Sequence, residues 1–200
     1  MLNVFPNLRN SVATSTVFQF KKYFFSILMM LSAGLAIAQT FDATKTIACD
    51  ESDFYQTINY STTGSSYRFV KINLQNVAFT QISNLTANGL STGINSIGYD
   101  VVTRFIYGIE ANSPNHLYRI NSIGQIQDLG TISGLTGSNN AGDFDSAGNY
   151  YVGGGLNGNL FKVNISTKVA TRIRSLNGYQ IADLAFNPKD GHIYAWSSSG

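Results

Sequence analysis

Beyond about residue 50, apolar and polar positions alternate in short runs, as residues on the two faces of a strand do. No stretch after residue 40 carries the 3.6-residue period of a helix. Clusters of Gly, Ser, Thr, Asn and Asp, the residues that make turns, separate the runs. The clearest case is Asn140–Gly155, NAGDFDSAGNYYVGGG. It predicts a strand over Ala141–Asp145, a turn at Ser146-Ala147-Gly148-Asn149 and a second strand from Tyr150.

The same unit recurs on either side. INSIGYD ends at Asp100, NNAGDFD at Asp145 and IADLAFN at Asn187, at spacings of 45 and 42 residues. Each is followed by a turn and then an aromatic strand: FIYGIE from Phe105, YYVGGG from Tyr150, IYAWSS from Ile193. A second marker keeps the same rhythm: Phe69–Asn73 (FVKIN), Leu117–Asn121 (LYRIN) and Leu160–Asn164 (LFKVN). In it Lys71, Arg119 and Lys162 can lay their stems along a sheet and send the charge outward. A fourth strand follows each marker, at Val77–Leu85, Ile126–Ile132 and Val169–Ile173. Four short antiparallel strands at a period of 40–50 residues predict the blade of a propeller. The expected fold is therefore all-β and β-propeller-like, with repeated four-stranded blades of about 43 residues. Two units are complete. Strands two to four of an earlier one precede them from near Phe54, and strands one and two of a later one follow. The expectation is an incomplete propeller, truncated mid-repeat, with further C-terminal domains on the same polypeptide.

Several of these segments resemble an uncharacterised bacterial secreted repeat domain with propeller-like blades. The similarity runs through INSIGYDVVTRFIYGI (Ile94–Ile109), LYRIN, DLGTISGL (Asp128–Leu135), NAGDFDSAGNYYV (Asn140–Val152), LFKVN and ADLAFNPKDGHIYAW (Ala182–Trp196). Cys49-Asp50 with Phe54-Tyr55 resembles the opening of that domain. Val101–Arg104 departs from it, lacking the Pro and Gly of the usual turn. The resemblance implies a large exported surface protein and leaves activity open.

Composition changes the picture at the N-terminus. The net charge of +2 arises from Arg9, Lys21 and Lys22; the rest of the chain carries 10 basic and 11 acidic residues. A basic nucleic-acid footprint is therefore not expected. Lys21-Lys22, the apolar Tyr23–Leu35 and the Ala36-Ile37-Ala38 site before Gln39 have the order of a signal peptide with a long n-region. The uncharged run from Tyr23 to Ala38 falls short of the about 20 residues a span needs. The expected organisation is a signal peptide over 1–38 cut between Ala38 and Gln39, a lead-in over 39–48 and the repeat domain over 49–200. No membrane span is expected after signal removal, and the expected location is secreted, extracellular or cell-surface. A lone Cys49 allows no internal disulfide and reads as a buried small hydrophobe or half of a bridge. Three Asn-x-Ser/Thr sequons, at Asn59, Asn84 and Asn164, are chance matches in a bacterial setting.

Candidate chemistry is sparse. Asp143-Phe144-Asp145 opens like a calcium loop, but Ala147 stands at the third ligand position and no Glu closes it. Asp143 and Asp145 are the candidate metal ligands, while Asp100 and Asp145 are expected to cap their turns. Gly153-Gly154-Gly155 lacks the Lys-Ser/Thr and the helix of a phosphate loop. His116 and His192 have no zinc-type neighbours. No catalytic residue and no cofactor is assigned. The reading is a non-catalytic, adhesion-type binding or scaffold module, with a glycan or a protein at the cell surface as partner. Its contacts are expected on the loops Thr86–Gly93, Ala111–Asn115 and Ser133–Asn139. The alternative is a lactonase-like six-bladed hydrolase, because DSAGNYYV (Asp145–Val152) is similar to a motif of that group. That enzyme needs Glu, Asn and Asp from several blades around one metal.

Overall fold

The computed structural model describes residues 40–48, 52–59, 66–90, 93–111, 115–154 and 158–197. The chain divides into two units, Met1–Gln39 and Thr40–Gly200. The signal-peptide segment and Cys49 lie outside the described residues. All thirteen strands among the described residues belong to the second unit.

Every regular element among the described residues is a strand, and the strands form four antiparallel meanders. Sheet 1 holds β1 (Asp53–Asn59), β2 (Tyr67–Asn73) and β3 (Phe79–Asn84). Sheet 2 holds β4 (Ile94–Asp100), β5 (Phe105–Glu110), β6 (His116–Ile120) and β7 (Ile126–Thr131). Sheet 3 holds β8 (Ala141–Phe144), β9 (Tyr150–Gly154), β10 (Asn159–Asn164) and β11 (Val169–Ser175). Sheet 4 holds β12 (Ile181–Asn187) and β13 (His192–Ser197). The blade expectation is met, including the assignment of β1 to a second-strand position. Tyr55 pairs with Lys71 as Tyr107 pairs with Arg119 and Tyr151 with Lys162.

The repeated residues are those the turns require. The Asn that closes each marker accepts two backbone N–H groups of the following turn. Asn73 takes Gln75 and Asn76, Asn121 takes Ile123 and Gln125, and Asn164 takes Ser166 and Thr167, at 2.9–3.2 Å. Such Asx turns satisfy donors that would otherwise be left open. The first hairpin of each blade is capped in the same way. Asp100 accepts from Val102 and Thr103, Asp145 from Ala147 and Asn149, and Asn187 from Lys189. The recurring tyrosine of the second strand closes this turn from the side. Tyr151 bonds Asp145 and Tyr194 bonds Asp190, while Tyr107 reaches Asp100 through the Thr103 hydroxyl. The atypical turn Val101–Arg104 keeps the geometry by placing Arg104 at φ 61°, where the third and fourth sheets use Gly148 and Gly191.

Third and fourth strands share a further device that the residue pattern did not foretell. The register slips at Phe69/Val70, Leu117/Tyr118 and Leu160/Phe161, four residues before the capping Asn in all three copies. A bulge at a fixed place raises the twist of each sheet in the same way.

The sheets pack face to face. Phe69, Leu85 and Leu90 of the first blade meet Ile94, Ile106 and Ile120 of the second, joined by Ile47 from the lead-in. Phe105, Tyr107, Ile109 and Leu117 meet Phe144, Tyr150, Val152 and Phe161 in the largest cluster, where Phe144 and Tyr150 stack at 4.5 Å. Ala141, Ile181 and Leu184 form the smallest. The segment 40–48 runs along the turn end of sheet 2. It is held there by Ile47 N–H to Arg104, by Asn121 and Gln125, and by Phe41 edge-on to Phe105. First strands lie side by side on the inside. At β8 the backbone of β4 comes so close that a Cβ on Gly142 would meet the Ser96 carbonyl.

Candidate functional site

A cavity of about 530 Å³ opens where the inner strands converge. That is within the range of small-ligand sites. One wall is β1 from Asp53 to Thr57; the other is built from β4, β8 and β12. The first strands reach it because each stands at an edge of its sheet, so consecutive residues such as Ile94–Tyr99 line the cavity.

Asn95 and Asn140 stand exposed in this wall at the same position of successive blades. Between them lies Ser96. Its N–H donates to the Asn140 carbonyl, and its own carbonyl accepts the hydroxyl of the fully buried Tyr150. Ser96 is 2% exposed, adopts φ 54°, and its hydroxyl has no partner among the described residues. A left-handed non-glycine residue costs about 1–3 kcal/mol. A buried hydroxyl without a partner costs about the same again. Such strain concentrates at functional sites.

The cavity's carboxylates are otherwise engaged. Asp53 pairs with Lys71 at 3.0 Å. Asp143 accepts the backbone N–H of Phe144 and, across the seam to sheet 4, that of Phe186, both at 2.8 Å. Asp183 accepts Leu184 N–H at 2.9 Å. Burial raises the Asp143 carboxyl above the ordinary value; its two N–H bonds oppose this and the nearby Asp183 charge adds to it.

The two metal candidates are not brought together. Asp143 turns to β12, whereas Asp145 is spent on its own turn, accepting from Ala147, Asn149 and Tyr151. For Asp145 desolvation acts upward, and the bonds from Asn149, Ala147 and Tyr151 outweigh it, holding the carboxyl below the ordinary value. Among the described residues no group of three or more His, Cys, Asp or Glu is placed to hold a metal ion. His116 faces Asp128 at 3.0 Å and His192 faces Asp190 at 3.4 Å, both away from the cavity wall. Gly153 packs on Ile181 and Leu184, so it serves the seam between sheets 3 and 4. Gly155 lies outside the described residues.

The loop Ser133–Asn139 is pinned at one end of the blades. Asn115 donates to the Leu135 carbonyl at 2.8 Å, and Ser133 exchanges backbone bonds with Lys168 and Ala170. Residue reading missed Asn95, Ser96 and Asn140 as a site. The recurrence of Asn95 and Asn140 at a 45-residue interval was visible. The left-handed Ser96 between them carries no sequence mark.

The family described as "Repeat of unknown function (DUF6923)" matches residues 60–200. The chain belongs to this family. No curated protein matches it. Among solved structures, a nidogen/laminin complex is similar at TM-score 0.56 and 16% identity over 76% of this chain and 55% of that one. A gluconolactonase from Xanthomonas campestris is similar at TM-score 0.55 and 10% identity, covering 76% of this chain and 52% of that one. An auxiliary nutrient binding protein from Bacteroides thetaiotaomicron is similar at TM-score 0.50 and 14% identity, covering 74% and 33%. The fold of this DUF6923 chain is thus that of β-propeller proteins, and it spans between a third and just over half of these solved chains. No helix among its described residues is long and apolar enough to cross a membrane.

Proposed function

We propose that this DUF6923 chain is an exported, non-catalytic binding module that holds a neutral polar ligand, such as a glycan, at the cavity mouth formed by Asn95, Ser96 and Asn140. The observation that carries it is Ser96: a strained backbone and an unpartnered buried hydroxyl in a cavity wall, between two exposed amides one blade apart. The exposed Asn95 and Asn140 amides both donate and accept, as sugar hydroxyls require, and Ser96 fixes their spacing from behind through its bond to the Asn140 carbonyl. Export is supported by the order of Lys21-Lys22, Tyr23–Leu35 and Ala36-Ile37-Ala38 ahead of the strands.

A hydrolytic role is less well supported. Neither histidine lines the cavity to activate the Ser96 hydroxyl. A lactonase-type centre asks for a Glu beside Asn and Asp; Glu110 is directed to the Tyr118 hydroxyl at 2.9 Å and is not among the cavity-lining residues. That the fold hosts both a nutrient-binding protein and a gluconolactonase leaves the choice to the residues.

The test is a glycan array with the purified chain, followed by titration of the best ligand into Ser96→Gly. Glycine relieves the backbone and deletes the hydroxyl, so Tm is expected to hold or rise while affinity falls at least tenfold. Lactone hydrolysis with added divalent cations, or ligand binding unchanged in Ser96→Gly, would overturn the reading.

A further inference from the structure

Charge is unevenly laid along the chain. Residues 146–182 carry Lys162, Lys168, Arg172 and Arg174 and no Asp or Glu, whereas the whole chain beyond residue 38 has 10 basic and 11 acidic residues. All four cations stand on β10, on β11 or on the turn that joins them, and β11 is the outer edge of sheet 3. Within β11, Thr171–Ser175 are exposed at every position. This exposure does not come from a missing neighbour. Arg172 stands opposite Phe161, the place of Asp128 opposite Tyr118 in sheet 2 and of Gln81 opposite Val70 in sheet 1. Gln81 and Asp128 are exposed although another sheet follows theirs. Charge commonly guards edge strands against pairing. Yet β3 and β7, the outer strands of sheets 1 and 2, have no Lys or Arg, so that need does not account for β11.

The four cations are also unengaged. Lys71 of β2 pairs with Asp53 at 3.0 Å, and Arg119 of β6 bonds Gln127 and lies 4.5 Å from the Phe41 ring centre. Lys162, their counterpart on β10, makes no ion pair or side-chain hydrogen bond among the described residues. Neither do Lys168, Arg172 and Arg174.

We propose that the outer edge of sheet 3 is a second binding site, for an acidic polysaccharide, with Arg172 and Arg174 pairing its carboxylates and Lys162 adding charge beside them. Two residues of strand advance about 6–7 Å, so the arginines present a row and not a point. A guanidinium takes a carboxylate on two N–H groups at once. Thr171 and Ser175 add exposed hydroxyls to the row, and Tyr179, 59% exposed just beyond the strand, adds an aromatic face. A sugar chain uses all three kinds of group. The rest of the chain beyond residue 38 has an excess of acidic residues. A nucleic acid or a membrane, which spreads negative charge over a broad surface, meets repulsion outside this strip, whereas a single polymer strand engages the strip alone. None of these residues lines the cavity, so the site is separate from the mouth at Asn95, Ser96 and Asn140.

The experiment uses the full chain and immobilised polygalacturonate, with the methyl ester of that polymer as its uncharged form. Retention on polygalacturonate is expected at about 50 mM salt and its loss by about 300 mM, as screening tightens. The methyl ester is expected to bind about tenfold more weakly. Arg172→Glu and Arg174→Glu, at exposed positions, are each expected to keep Tm and to lower affinity about tenfold, and Arg172→Lys to lower it about twofold to threefold. Lys189→Glu makes the same change in net charge on the exposed first turn of sheet 4, and is expected to leave binding within about twofold. No retention at low salt, equal binding of the ester, or an equal loss in Lys189→Glu would overturn the proposal. So would tighter binding to phosphatidylglycerol vesicles or to single-stranded DNA, since the partner would then be a lipid surface or a nucleic acid. Ser96→Gly is expected to leave polygalacturonate binding unchanged, so this proposal and the cavity-mouth reading can fail separately; a loss in that variant would place the polymer at the cavity and overturn the second site.

Discussion

β5 and β13 are the same strand of two blades. FIYGIE is buried at all six positions, whereas HIYAWS is exposed at four and half-buried at two. Tyr107 is 3% exposed and its counterpart Tyr194 is 58%; Ile109 is 2% and Trp196 is 72%. Both strands pair with the first strand of their blade in equivalent register, and both tyrosines serve the same turn. The backbone and the turns are thus complete within a blade, while hydrophobic burial is supplied by its neighbours. Among the described residues β5 has a sheet on each face and β13 on one. At the other end Phe54 and Phe79, half-exposed on sheet 1, show the same deficit.

The strongest way to break this comparison is to truncate the paired tyrosines. Tyr107→Ala is expected to cost about 3–5 kcal/mol, the scale of large aromatic deletions in a packed core. Tyr194→Ala should cost less than about 1 kcal/mol, the scale of surface changes. Urea melts of the two variants measure the difference. Equal losses would mean that the turn bonds, which the two residues share in kind, outweigh the burial that separates them.

A smaller effect sharpens the same point at the inner strands. Gly142 faces the Ser96 carbonyl, and an added methyl has no space without moving β4 from β8. Gly142→Ala is expected to cost about 1–3 kcal/mol, as overpacking does. It should also loosen Asn95 and Asn140, which flank this contact, and so weaken any ligand at the mouth. A variant that melts like the parent would show that the seam between sheets 2 and 3 can shift.

The blade was legible because its signals are local. Asn73, Asn121 and Asn164 recur since each turn needs an acceptor at that position, and Asp100, Asp145 and Asn187 recur for the same reason. Their spacing therefore reports the strands directly. Burial was not legible: Tyr107 and Tyr194 are the same residue in the same local pattern, and only the neighbouring sheet separates them. The candidate site was half visible. Asn95 and Asn140 repeat, but Ser96 looks like any strand serine until its φ is known. The Asp143/Asp145 pair is the converse case: a spacing of two suggests one face of a strand, but β8 ends at Phe144, so Asp143 turns to Phe186 of β12 while Asp145 serves its own turn.

Those two aspartates supply the finest test, because one depends on a neighbouring sheet and the other on its own hairpin. Asp143 is covered from sheet 4 and its carboxyl is raised above the ordinary value by burial. The native state then holds a proton more tightly than the unfolded chain, so its contribution falls as pH rises above the ordinary carboxylate value. Asp145 is lowered by the bonds of its turn, so its contribution is present above the ordinary value and is lost as pH falls through the depressed one. Asp143→Asn keeps an acceptor for Phe186 N–H and removes the charge. It is expected to leave stability at neutral pH unchanged or higher, with the gap to the parent closing on acidification. Asp145→Asn is expected to lower stability at neutral pH, and its gap also closes, but only at more acidic pH. Urea melts at neutral pH and on acidification to below the ordinary carboxylate value separate the two signs. If the variants shift stability in the same direction, sheet 4 does not desolvate Asp143, and the seam between sheets 3 and 4 is as open to water as the free face of β13.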